Sequence, residues 1–236
     1  MQPEARRRPC YAGDVTLARV VAQIEVEVPG RWTARDDDLL RRIQAVVPDA
    51  ELRWEGPSTE VAEVFAAAAA HLRASEQEVE AVRLHHSRVV AKVPVHRGEV
   101  RSAQRLLQGL RPLVSRPQAL GVHVRSVGKA HAVREWSEYE PRQPFDLLRA
   151  FVLWGAGDDY RTWGMKNLGL PDVVVRGQPW PQAATAVMQA FAVERLERPQ
   201  TDPPPDFELA GQLHRVQWAM AKPDDNPFGH HVLTTA

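Results

Sequence analysis

The stretch QIEVEV, Gln23 to Val28, constrains the fold more than any other, because Ile24, Val26 and Val28 alternate with Gln23, Glu25 and Glu27. A period of two sends successive side chains to opposite faces, so it specifies a strand with one dry and one wet face. The strand is predicted over Val15–Val28, closed by Pro29-Gly30. The period then changes. In TARDDDLLRRIQAVVP, Thr33 is expected as N-cap with Asp36 three residues on, and Leu39, Leu40, Ile43, Val46 and Val47 recur at helical spacing until Pro48 stops them.

The two periods keep exchanging along the chain. ELRW reads as a short strand, and STEVAEVFAAAAAHLRAS as an alanine-rich helix from Ser58. Ser75 and Glu78 suggest a further cap, with the residues up to a strand starting near Leu84 left open. GEVRSAQRLLQGLRPLV returns to helix, with Val100, Ala103, Leu106, Leu107, Leu110 and Val114 on one face and Arg101, Arg105 and Gln108 on another. ALGVHVRSVG is expected as a strand and HAVREWSEY as a short helix. FDLLRAFVLW, apolar on both parities, is expected as a central strand covered on both sides. DVVV, a helix over Pro181–Arg198 and a bulge or turn near Gly211 complete the series. Such interleaving predicts an α+β fold, with a mixed or largely antiparallel sheet covered by helices. Residues 1–236 read as one domain, with a flexible tail over about 1–13 and a Pro-rich connection, RPQTDPPPD, at 198–206.

TWGMKNLGLPDVVV, Thr162 to Val175, has the order of a helix-to-strand corner. With Met165–Leu168 as a last helical turn, Gly169 falls at C′, where a left-handed residue is needed, and Leu170 at C″ packs back on Met165. Pro171 then bars continuation, and only Trp163 is left without a structural role.

Charge is the strongest functional signal. The chain balances 30 basic against 30 acidic residues. Between Arg83 and Arg134, however, eleven Lys or Arg meet the single acid Glu99, a net of +10, which leaves the remainder at −10. A candidate recognition surface for something anionic therefore comprises Arg88, Lys92, Arg97, Arg101, Arg105 and Arg125, with Trp163 as a separate contact. A solvated helix face with arginines lying over the core is the alternative account of the same residues.

Segments within this region carry a family resemblance. RLHHSRVVAKV, the amphipathic helix after it, ALGVHV, HAVREW, RAFVLW and above all RTWGMKNLGLPDVVV followed by a helix resemble the bacterial domain-of-unknown-function 4261 family, over roughly residues 75–196 and the C-terminal tail. The resemblance implies a bacterial cytoplasmic α+β domain with no established reaction, akin to immunity-type or accessory partner proteins. GHHVLTTA at the end carries no assignment.

Reactive chemistry is thinly written. Cys10 is the single cysteine, which excludes an internal disulfide and cysteine-rich zinc sites. His85-His86 and His230-His231 invite a metal reading, but neighbours on a strand face opposite ways and no HExxH accompanies them, so no metal or other cofactor is expected. Asp36-Asp37-Asp38 suit the first turn of a helix, and GAGDDY lacks the residues of a phosphate loop. No apolar run is long enough to span a bilayer and no secretory signal is evident, so cytoplasmic residence without a membrane partner is the expectation.

The leading expectation is a non-catalytic protein that binds another protein or an acidic peptide through the basic middle. An enzyme, hydrolase-like or metal-dependent, built from dispersed residues such as His123, His131, Asp158 and Asp159 stays open beside it. Nucleic-acid binding has the charge, but few aromatics lie between the arginines to stack on bases. Self-association of the basic middle with the acidic flanks is a further possibility.

Overall fold

A computed structural model of the chain describes residues 21–72, 75–156, 159–178, 181–221 and 225–236. The expected N-terminal tail, Cys10, the first part of the Val15–Val28 strand and Asp158 lie outside the described residues.

The elements form an α+β fold with two mostly antiparallel sheets where a single sheet was expected. The first sheet joins β1 (Val21–Gly30), β2 (Glu51–Glu55), β3 (Ser87–His96), β4 (Val122–Val124) and β5 (Lys129–His131) in the order β2-β3-β1-β4-β5. The second joins β6 (Leu153–Ala156), β7 (Tyr160–Trp163), β8 (Asp172–Arg176), β9 (Asp206–Leu209), β10 (Gln212–Ala219) and β11 (His230–Thr235) in the order β6-β7-β8-β11-β10-β9. Among the described strands, β8 and β11 are the one parallel pair. The helices are α1 (Asp37–Val46), α2 (Thr59–Ala68), α3 (Glu76–Arg83), α4 (Arg101–Val114), α5 (Val133–Glu138), α6 (Pro144–Phe151) and α7 (Pro181–Glu197).

One continuous core serves both sheets. Ile24, Val26 and Val28 from β1 and Val89, Ala91 and Val93 from β3 meet the apolar face of α4, and the same cluster runs on through α6 and α7 to Val173, Val175 and Leu233. The α4 face is as its spacing predicts: Ala103, Leu106, Leu107, Leu110 and Val114 are buried, while Arg101, Arg105 and Gln108 are exposed. Truncating any of these leucines to alanine removes apolar area and leaves a void, at a cost of about 2–5 kcal/mol. A smaller cluster, Val61, Phe65, Val82 and Ala130, holds α2 and α3 against β5.

Local signals translate faithfully where they are short-range. Ser75 and Glu78 form a reciprocal capping box, with Ser75 N–H donating to Glu78 at 2.7 Å. The turn near Gly211 is a two-residue hairpin in which Ala210 and Gly211 both take positive φ, 51° and 80°. Four expectations are corrected. The cap of α1 is Asp36, which accepts from Leu39 N–H at 2.9 Å, and not Thr33. The helix from Ser58 ends at Ala68, and ALGVHVRSVG splits into β4, a 3-10 turn at Arg125–Val127 and β5. FDLLRAFVLW is not a central strand: Pro144 and Asp146 start α6, which buries Leu147, Leu148 and Phe151 and leaves Phe145 exposed, and the strand begins only at Leu153. Both parities are apolar there because a helix packed on its inner side also places neighbouring residues 147 and 148 inward. At its end the Lys129 amine donates to the carbonyls of Arg149 and Val152, the latter at 2.7 Å, satisfying acceptors that no helical N–H reaches.

Candidate functional surface

The first sheet carries a layer of charge on the face away from the core. Register sets Glu25 opposite Lys92 and Glu27 opposite His123, so β1's predicted wet side faces basic strands. Lys92 pairs with Glu25 at 3.2 Å, and Arg88 with Glu27 at 3.3 Å and Glu55 at 2.5 Å. Arg125 reaches Glu25 at 3.0 Å and Glu60, from α2, at 2.9 Å. His123 Nδ1 meets Glu27 at 3.1 Å. Glu27, expected at a wet position, is only 1% exposed. Burial pushes its carboxyl up, but the His123 hydrogen bond and the guanidinium groups of Arg88 and Arg125 outweigh that and hold it below the ordinary glutamate range.

The basic middle is thus largely neutralised by the acidic frame. Arg83, Arg88, Lys92, Arg111, Arg116, Arg125 and Arg134 all form ion pairs, with Glu80, Glu27, Glu25, Glu140, Asp36, Glu60 and Glu138 among their partners. Of the named candidates, Arg88, Lys92 and Arg125 are therefore bound up in internal pairs. Arg97, in the turn before α4, and Arg101 and Arg105, in its first turns, have no ion-pair partner among the described residues.

Arg101 and Arg105 open onto a groove of ≈ 580 Å³ between α4 and the loop before α6. Gln104, Gln108 and Arg111 line its helical side, and Glu140, Pro141 and Arg142 the other. Arg111 is occupied there, donating to the Tyr139 carbonyl at 2.6 Å and to Glu140 at 3.0 Å. The exposed Arg142 was not singled out from sequence; only the fold carries it opposite α4. Arg97 does not join this groove and faces a different cleft, beside His231.

Trp163 has a structural role after all. Its ring fills the space left by Gly155 across the β6–β7 hairpin, where a Cβ on Gly155 would come within 2.2 Å of it, and the Arg161 guanidinium lies 4.7 Å from its centre. The corner beyond it closes as the spacing predicts: Leu170 N–H donates to Met165 O at 3.0 Å, Gly169 N–H donates to Lys166 O at 3.1 Å, and Gly169 takes φ 71°. Asp172, just past Pro171, is the hub of the corner. Its buried carboxylate accepts from the Thr162 hydroxyl at 3.2 Å, Met165 N–H at 3.0 Å and the Asn226 amide at 2.9 Å.

The dispersed histidines and acids do not converge. His123 and His131 sit on paired strands with His131 opposite Val122, which puts the two rings on opposite faces. His131 Nε2 instead contacts the Ala150 carbonyl at 2.9 Å, and Asp159 pairs with Arg176 at 2.9 Å. His85 is held between the Val82 carbonyl at 2.7 Å and the Ser58 N–H at 2.9 Å. No group of three or more His, Cys, Asp or Glu in position to hold a metal ion occurs among the described residues. Nor does any described helix have the length and apolarity to cross a membrane.

Comparison with family models, curated proteins and solved structures yields no match.

Proposed function

We propose that this chain is a non-catalytic bacterial accessory or immunity-type protein, acting in the cytoplasm, that captures an acidic segment of a partner protein in the groove between α4 and the loop before α6. The observation that carries this reading is the unequal fate of the basic residues: most are neutralised at home, whereas Arg101, Arg105 and Arg142 stand exposed along one groove without an ion-pair partner among the described residues. Guanidinium groups at helical spacing can each fork onto a carboxylate, and the interleaved Gln104 and Gln108 can bond the peptide backbone of an extended ligand. The lining contains no aromatic side chain, which favours carboxylates over stacked bases.

Titration of a short labelled polyglutamate peptide, with polyglutamine and single-stranded oligonucleotide controls, tests the reading. Saturable binding of polyglutamate alone is expected, weakened by about tenfold or more when Arg101 and Arg105 are both reversed to Glu. Equal affinity in the reversed variant, or tighter capture of the oligonucleotide, overturns it.

A further inference from the structure

A second basic cleft lies apart from the α4 groove. It is formed where the turn after β3 (Arg97, Gly98) meets the corner before β8, the end of α7 and the Pro-rich segment, with His231 of β11 at its side, and it encloses ≈ 300 Å³. Arg195 and His231 both line it and are nearly inaccessible, at 3% and 2% exposed. The Arg195 guanidinium donates through Nη2 to the carbonyls of Arg198, at 3.1 Å, and Thr201, so it is fixed in place, yet its Nε has no partner. The Nδ1 of His231 has none either. Neither Arg97 nor Arg195 has an ion-pair partner among the described residues, and Asp202 is the one acid in the lining.

A buried guanidinium without a counter-charge is costly, and buried polar nitrogens without partners call for an explanation. The Gly98 and Gly169 amides at this cleft are engaged, Gly98 N–H donating to Gly169 O at 2.7 Å and Gly169 N–H to Lys166 O at 3.1 Å, which leaves the charged side chains as the groups placed to meet a ligand there. Two guanidinium groups and an imidazole around a small space, with an excess of one positive charge, match a compact group with several acceptor oxygens. We propose that the cleft formed by Arg97, Arg195 and His231 binds a small oxyanion of the phosphate class. The Pro-rich segment forms its wall: Gln200 donates to the Gly98 carbonyl at 2.8 Å and Arg195 pins the chain at Arg198 and Thr201, so occupancy by the anion tightens the join between α7 and the two sheets.

The test is titration of the full chain with inorganic phosphate at constant ionic strength, followed by the imidazole NMR signals of His231 and by thermal unfolding. One saturable site is expected, with a rise in melting temperature and, in Arg97→Gln, affinity weakened by about tenfold. Arg97 is exposed, so its replacement leaves the core intact; Arg195→Lys, which retains the charge but loses the fork, is expected to weaken binding as well. The variant with Arg101 and Arg105 reversed is expected to bind phosphate normally, which separates this cleft from the α4 groove. Absence of saturation, unchanged affinity in Arg97→Gln, or acetate binding as tightly as phosphate overturns the proposal.

Discussion

Asp172 and Asn226 are joined by a 2.9 Å hydrogen bond inside the protein, the carboxylate of the first residue of β8 accepting the amide of the loop that leads into β11. Both side chains are essentially inaccessible, at 2% and 1% exposed. The same Asn226 amide donates to Leu170 O at 3.0 Å, so the corner and the C-terminal strand are tied through a single polar knot. Replacing Asp172 by alanine removes the acceptor of the Thr162 hydroxyl, of the Met165 N–H and of one of the two Asn226 amide hydrogens. The expected loss is about 3 kcal/mol in the free energy of urea unfolding. Stability equal to that of the parent chain would refute the hub.

The charge layer on the first sheet is graded by depth. Glu27→Gln removes a buried charge facing Arg88 and His123 and is expected to destabilise by about 3 kcal/mol. Arg125→Ala, whose side chain is 41% exposed, should cost less than about 1 kcal/mol despite breaking three ion pairs, to Glu25, Glu27 and Glu60. Thermal denaturation of the two variants side by side checks the ordering.

Two glycines of positive φ predict opposite tolerances. A Cβ on Gly169 would come 2.4 Å from the His96 carbonyl oxygen, so Gly169→Ala combines left-handed strain with a backbone clash and should cost about 3 kcal/mol or more. At Gly211, φ 80°, nothing lies within 4 Å, and only the strain of about 1 kcal/mol remains. Chemical denaturation of both alanine variants discriminates strain from collision.

Acid should weaken the fold well above the carboxylate range. Burial, and then the neighbouring Arg195 and Arg97, lower His231 from 6.5 to about 4. Burial likewise lowers His131, enclosed beside Tyr139 and Trp136. Between the two values the unfolded chain takes up a proton that the folded chain refuses, so stability is full above pH 6.5 and falls as pH drops towards 4. The His231 contribution to that loss is about 3 kcal/mol. Urea unfolding in phosphate-free buffer from pH 7 to 4 measures the slope, and His231→Leu is expected to flatten it.

Most short-range patterns were legible, the cap of α1 excepted, and long-range ones were not. The capping box at Ser75, the ending at Gly169 and the turn at Gly211 each depend on a few consecutive residues, whose backbone preferences do not wait for the rest of the chain. The apolar run 145–154 was ambiguous because burial on both parities suits a covered strand and a packed helix alike. His230–Thr235 carried no strand assignment, and the fold makes it a strand by setting it between β10, antiparallel, and β8, parallel and over fifty residues earlier in the chain. Arg195 did leave a readable trace, since helical spacing places it in line with Ala184, Met188 and Phe191 on the dry face of α7.

What the sequence by itself determined is most of the alternation of strand and helix, the apolar faces of β1, α1 and α4, and the excess of positive charge in the middle of the chain. The tertiary structure alone decided what that charge does. Ion pairing depends on distance in space, and β1 and α2 bring Glu25, Glu27 and Glu60 against Lys92, Arg88 and Arg125, from which they are separated by tens of residues along the chain. Arg101 and Arg105 stay exposed where the acid across their groove, Glu140, is taken up by Arg111, and Arg97 and Arg195 meet only because the turn after β3 and the end of α7 converge on His231.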